Sequence, residues 1–246
     1  MEATLLTVTI AAAVTAIMTG MGALPFLFFR SIGDRTIGWS NAAAAGLMLA
    51  ASHSLVAEGV SLAAGLTLVG ILLGLAAILA SKNLLDRAND FSIAELQGAS
   101  AVRALLILGV MTAHSFAEGV GVGVSFAGEE GLGLFITTAI AFHNVPEGLA
   151  IALVLVPRGT PVWKAALWAV FTSLPQPLMA APAFVFVELF RPMLPVGLGL
   201  AAGAMIWMVF AELAPDALKK SSSASAAAVV VLAFAAMMLF QLFVLA

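Results

Sequence analysis

No cysteine occurs in the 246 residues, and only 9% of them carry charge. The first absence excludes disulfides, thiolate metal sites and cysteine nucleophiles, and it leaves the redox compartment open. The second excludes a water-soluble domain, where roughly 25% of residues are charged. The amino-terminal Met1-Glu2-Ala3-Thr4 lacks a basic stretch, so the first apolar run is expected to be a retained span and not a cleaved leader. The net charge of -3 says nothing about partners, since where the charges sit matters more; no nucleic-acid partner is expected.

What is present is apolar surface. Hydrophobic residues make up 63% of the chain and the mean hydropathy is +1.14. One water-soluble core cannot hide that much, so the lipid bilayer is the solvent and a standing partner. Crossing about 30 Å of hydrocarbon takes about 20 helical residues at about 1.5 Å each. On that rule the sequence predicts an all-α integral membrane protein of eight transmembrane helices in a single domain, 1–246. The spans are Thr4–Phe29, Ile37–Ala57, Val60–Ala80, Val102–Ala127, Leu132–Val156, Val162–Val187, Leu194–Ala214 and Ala224–Leu245. Only Glu58-Gly59 separates the second from the third.

Lys and Arg collect on the cytoplasmic side of a membrane protein. With eight spans, nine of the ten basic residues fall on one side and Arg191 alone on the other. That split predicts both termini on the non-cytoplasmic side. Ser81–Ala101, with Asp86, Arg87, Asp90 and Glu95, is expected to be a solvated cytoplasmic loop. The connection Gly128-Glu129-Glu130-Gly131 is so short that spans 4 and 5 must form an antiparallel hairpin.

All three histidines lie within predicted spans, and each is soon followed by Glu-Gly: His53 by Glu58, His114 by Glu118, His143 by Glu147. An ionisable side chain at mid-bilayer costs roughly 2.5–3.5 kcal/mol on insertion scales, so such groups usually mark function. The last two pairs are spaced by four, which stacks imidazole and carboxylate on one helix face. Their helices are hairpin neighbours, so His114, Glu118, His143 and Glu147 can converge. Two imidazoles and two carboxylates suit Zn²⁺, Fe²⁺ or Mn²⁺, and the carboxylates offset the ion's charge in a low-dielectric site. The alternative is a pair of His–Glu hydrogen bonds that tie two helices together.

Pro146 removes a helix hydrogen bond and frees the carbonyl of Phe142. The run Ser173-Leu174-Pro175-Gln176-Pro177 is expected to break span 6 and to turn Gln176 toward a cavity. His53, Met48 and Glu212 are candidate pathway residues. Against that role, the His53–Glu58 spacing is off-face, Met48 suits packing, and Glu212 suits a helix end near Pro215-Asp216.

His143-Asn144-Val145-Pro146-Glu147-Gly148 resembles the HNxPEG signature of the ZIP (Zrt/Irt-like) divalent-metal transporters. His114-Ser115-Phe116-Ala117-Glu118-Gly119 resembles the companion motif on the preceding helix, and Ala201–Trp207 and Gly46–Ser52 resemble that family's seventh and second helices. The likeness covers most of the chain and is nearest the GufA-type branch and plant relatives. It implies eight helices, a two-metal centre between helices 4 and 5, and alternating access by sliding of one helix bundle against another, often within a homodimer. It also implies that the His and Glu of both motifs bind the primary ion, while Ser115 and Asn144 belong to a second position. There Gln176 stands where binuclear relatives place a carboxylate, and Ser115 where they place Asn, so the second position is expected to be weak. Zinc is the expected cargo, with Cd²⁺, Mn²⁺ and Fe²⁺ as further candidates, and no catalytic cofactor is expected. An intramembrane zinc hydrolase is the rival. It needs a fixed open coordination site, whereas paired carboxylates on adjacent helices fit a site that must release its ion.

Overall fold

The computed structural model describes residues 4–29, 32–90, 99–156 and 159–244, with side chains left out at 81–82, 84–90, 99–111, 113–114 and 244. Helices make up nearly all of it, in the order α1 (Leu5–Met21), α2 (Asp34–Asp90), α3 (Ala99–Gly128), α4 (Glu130–Leu155), α5 (Val162–Ser173), α6 (Pro175–Leu189), α7 (Leu194–Met208), α8 (Ala214–Lys220) and α9 (Ser223–Val244). Among the described residues, six segments are long and apolar enough to cross a membrane: Leu5–Leu27, Asp34–Ala80, Glu130–Leu155, Val162–Leu189, Arg191–Lys220 and Ser223–Phe243. An all-helical integral membrane protein is therefore what the chain forms.

The second of these segments, at 47 residues, is far longer than one crossing needs. It is bent, but not at Glu58-Gly59. The break is at Ala63, whose backbone is extended (φ -163°, ψ 95°). Gly59 packs directly on Thr67 across the bend, so the two arms fold back on each other. Hydroxyls bond back to carbonyls on either side of the bend: Ser61 Oγ donates to Glu58 O (2.7 Å) and Thr67 Oγ1 to Ala63 O (3.0 Å). Sequence inspection favours Gly59 as a breaker, yet the glycine serves as the flat surface on which the returning arm lands. The expected loop Ser81–Ala101 is also shorter than predicted, since α2 continues to Asp90 and α3 begins at Ala99. Residues 91–98 lie outside those described.

Small residues set the helix pairings. The returning arm of α2 runs parallel to α7, with Gly70 and Gly74 against Val196 and Leu200, and Gly199 and Gly203 against Thr67 and Ile71. Bilayer lipid gives helices no hydrophobic reason to associate, so close backbone approach at glycine supplies the dispersion contacts. Likewise Gly22 of the α1 end meets Gly148 of α4, Gly119 and Gly123 of α3 meet Gln176 and Ala180 of α6, and Gly46 of α2 meets Val230 of α9. The α3–α4 hairpin forms as its short turn requires, with the Phe126 ring over Gly133. Prolines divide span 6 as expected: α5 stops at Ser173 and α6 starts at Pro175. By contrast α4 passes through Pro146 without a break.

Candidate metal centre

The α3–α4 hairpin carries Glu118 on one strand of helix and His143 and Glu147 on the other. One turn separates His143 from Glu147, so both face α3. All three are buried. His143 Nδ1 lies 3.2 Å from Glu118 Oε1, and His143 Nε2 lies 3.9 Å from Glu147 Oε1. One ligand atom from each falls within 4.8 Å of the others.

Unmet hydrogen-bonding capacity singles the cluster out. Glu118 Oε1 and His143 Nδ1 are buried with no hydrogen-bond partner, despite their short separation, and so are Ser115 Oγ and Asn144 Oδ1 next to them. Native interiors leave few buried polar atoms unsatisfied, and each asks for an explanation such as an ion. His143 Nδ1 and Glu118 Oε1 lie at ion-pair distance but without hydrogen-bond geometry. The fourth predicted ligand, His114, lies outside the described side chains.

On one side the centre opens into a cavity of about 300 Å³ that His143 and Glu147 help line. Farther out its wall carries Glu212, Asn41, Asp216 and Lys220. A π-helical turn, Val209–Leu213, brings Glu212 onto that wall; such turns recur at functional sites. At the mouth Asn41 Nδ2 donates to Asp216 Oδ2 (2.6 Å), and Lys220 Nζ pairs with the same oxygen (2.9 Å).

On the other side the centre is closed by buried polar side chains. Gln176 Nε2 donates to Glu118 Oε2 (2.7 Å), and Gln176 Oε1 accepts from Thr15 Oγ1 (2.5 Å) and Asn144 Nδ2 (3.1 Å). One turn along α1, the Thr19 and Ser173 hydroxyls lie 2.7 Å apart. Gln176 therefore sits in a packed network, not on a cavity wall. The remaining candidates are not brought to the centre. Met48 is buried in the hydrophobic core, and His53 is exposed with its ring edge-on to Phe234. Sequence reading missed Asn41, Asp216 and Thr15. The signal for Thr15 was available, because Thr15 and Thr19 are polar groups one helical turn apart inside an apolar span.

A family model described as ZIP Zinc transporter matches residues 81–241. The chain belongs to the ZIP family. Among the ZIP relatives, a candidate zinc transporter of Arabidopsis thaliana is 49% identical over 209 residues, covering 84% of this chain and 34% of its own length. The zinc transporter ZIPB of Bordetella bronchiseptica is 36% identical over 244 residues, covering 89% of this chain and 75% of its own. The zinc transporter GufA of Myxococcus xanthus is 34% identical over 114 residues, covering 46% of this chain and 45% of its own. This ZIP chain thus spans about a third of the Arabidopsis protein and about three quarters of the Bordetella one. ZIP proteins are transporters and not enzymes, and the hydrolase alternative gains no support.

Proposed function

We propose that this chain carries divalent first-row metal ions, zinc foremost, across a membrane toward the cytoplasm by alternating access. The observation that carries the reading is a buried Glu118–His143–Glu147 cluster with unpartnered ligand atoms at the inner end of a cavity, with the Gln176 network on its other side among the described residues. A carrier must be closed on one side while open on the other, which is the asymmetry between the Lys220 mouth and the Gln176 network.

Eight crossings make the pairings consistent. The bend at Ala63 splits α2 into two spans, α3 adds one, and α5 with α6 makes one. Alternating direction then makes spans 3 and 7 parallel, and spans 2 and 8 parallel, as the glycine contacts require. The basic-residue split orients the Lys220 mouth to the cytoplasm and both termini away from it. In this state the ion leaves past Glu212 and Asp216. His114 completes the primary ligand set, and a mixed imidazole–carboxylate site leaves Cd²⁺, Mn²⁺ and Fe²⁺ as further candidate cargoes. A homodimer is the assembly that the family resemblance favours.

The test is uptake by the purified chain in sealed vesicles with a zinc-sensitive dye inside. Accumulation of zinc that is lost in Glu118→Ala supports the reading. Equal accumulation by protein-free vesicles refutes it.

A further inference from the structure

We infer that the amide of Gln176 takes the place of a second cation and makes this a one-ion centre. The inference rests on the proposed site, because it requires Glu118 to be an ion ligand. Gln176 is fully buried, and its orientation is fixed by its partners. Asn144 Nδ2 gives one hydrogen to the Thr15 carbonyl (2.7 Å) and the other to Gln176 Oε1 (3.1 Å). The Thr15 hydroxyl hydrogen is shared between that same oxygen and the Ala12 carbonyl. With Oε1 facing donors, the NH₂ group must face Glu118. The reversed amide would set two oxygens, Gln176 Oε1 and Glu118 Oε2, against each other at 2.7 Å.

Glu118 is therefore divided. Its Oε2 is taken by an amide hydrogen, and its Oε1 is unpartnered beside His143 Nδ1. A carboxylate that bridged two ions with one oxygen on each would need Oε2 free of the amide. To admit a second ion, Gln176 would have to turn its oxygen inward and give up its bonds to Glu118, Thr15 and Asn144 together. Charge points the same way. Glu118 and Glu147 supply two negative charges in the cluster, which balance one divalent ion. A second ion a few ångströms away would be repelled strongly in a low-dielectric interior. Ser115 Oγ and Asn144 Oδ1, neutral and unpartnered, are left to hydrogen-bond a water on the single ion.

The experiment counts zinc in the purified full-length chain in detergent by equilibrium dialysis, with Glu118→Gln as the baseline for zinc bound elsewhere. The natural chain should exceed that baseline by one zinc. Gln176→Glu should exceed it by nearly two, because it replaces the donor with the missing charge at similar volume. X-ray absorption on the zinc-loaded natural chain should show no zinc–zinc scattering at the ~3.5–4 Å typical of paired ions. Two zinc ions or a zinc–zinc vector in the natural chain overturns the inference. So does a Gln176→Glu protein that still binds one. If that variant fails to fold, the absorption measurement on the natural chain decides. Two zinc ions with intact vesicle uptake would overturn the one-ion centre alone. One zinc ion with no uptake would overturn the transport reading alone.

Discussion

Glu118 of α3 and His143 of α4 meet across a helical hairpin at 3.2 Å, Oε1 to Nδ1, and neither atom makes a hydrogen bond. Their residues are 25 apart in sequence, and the turn at Gly128–Glu130 brings them to one depth. An ion between them relieves two unsatisfied buried groups at once. Glu118→Ala and Glu147→Ala should therefore lower zinc uptake by more than about 100-fold, beyond the 10–100-fold that loss of a supporting partner costs. Both variants should keep the far-ultraviolet circular dichroism of the parent. Uptake within threefold of the parent by either one would remove it from the ligand set.

Asp216 lies on the cavity wall beyond the ligands, held by Asn41 and Lys220. Asp216→Asn should lower maximal uptake several-fold with little change in the zinc concentration at half-maximal rate, because an exit group acts after the ion is bound. A large rise in that concentration with an unchanged maximum would instead place Asp216 in ion capture.

The α2–α7 contact predicts a contrast between two glycines. A methyl added at Gly203 would strike the backbone of Ile71, whereas one added at Gly65 would meet nothing within 4 Å. Gly203→Ala should destabilise the protein by about 1–3 kcal/mol through overpacking. Gly65→Ala should be neutral or stabilising by about 0.5–1 kcal/mol, since alanine is the better helix former. Thermal unfolding in detergent checks both. Equal effects would mean that the parallel α2–α7 contact is wrong.

Orientation is open to cysteine labelling because the natural chain has none. Glu129→Cys and Ser223→Cys are both at exposed positions. Given the basic-residue split, an impermeant maleimide should reach residue 129 from outside and residue 223 only from the cytoplasmic side. The reverse pattern would invert the transport direction.

The sequence by itself determined the solvent, the helix type and which side chains a helical hairpin could bring together. Scarce charge and long apolar runs leave lipid as the only medium. A spacing of four fixes His143 and Glu147 on one face because an α-helix repeats every 3.6 residues, and so short a connection leaves α3 and α4 no choice but to pair. Those are local rules, and the structure bears them out. Only the tertiary structure decided that α2 turns at Ala63 and not at Gly59, that Thr15 holds Gln176 from 161 residues away, and that Glu212 reaches the cavity through a π-helical turn. Periodicity says which face of a helix is polar, but not how far two helices slide or rotate against each other. That is settled by which small residues let their backbones meet, a property of pairs of surfaces that neither segment carries alone.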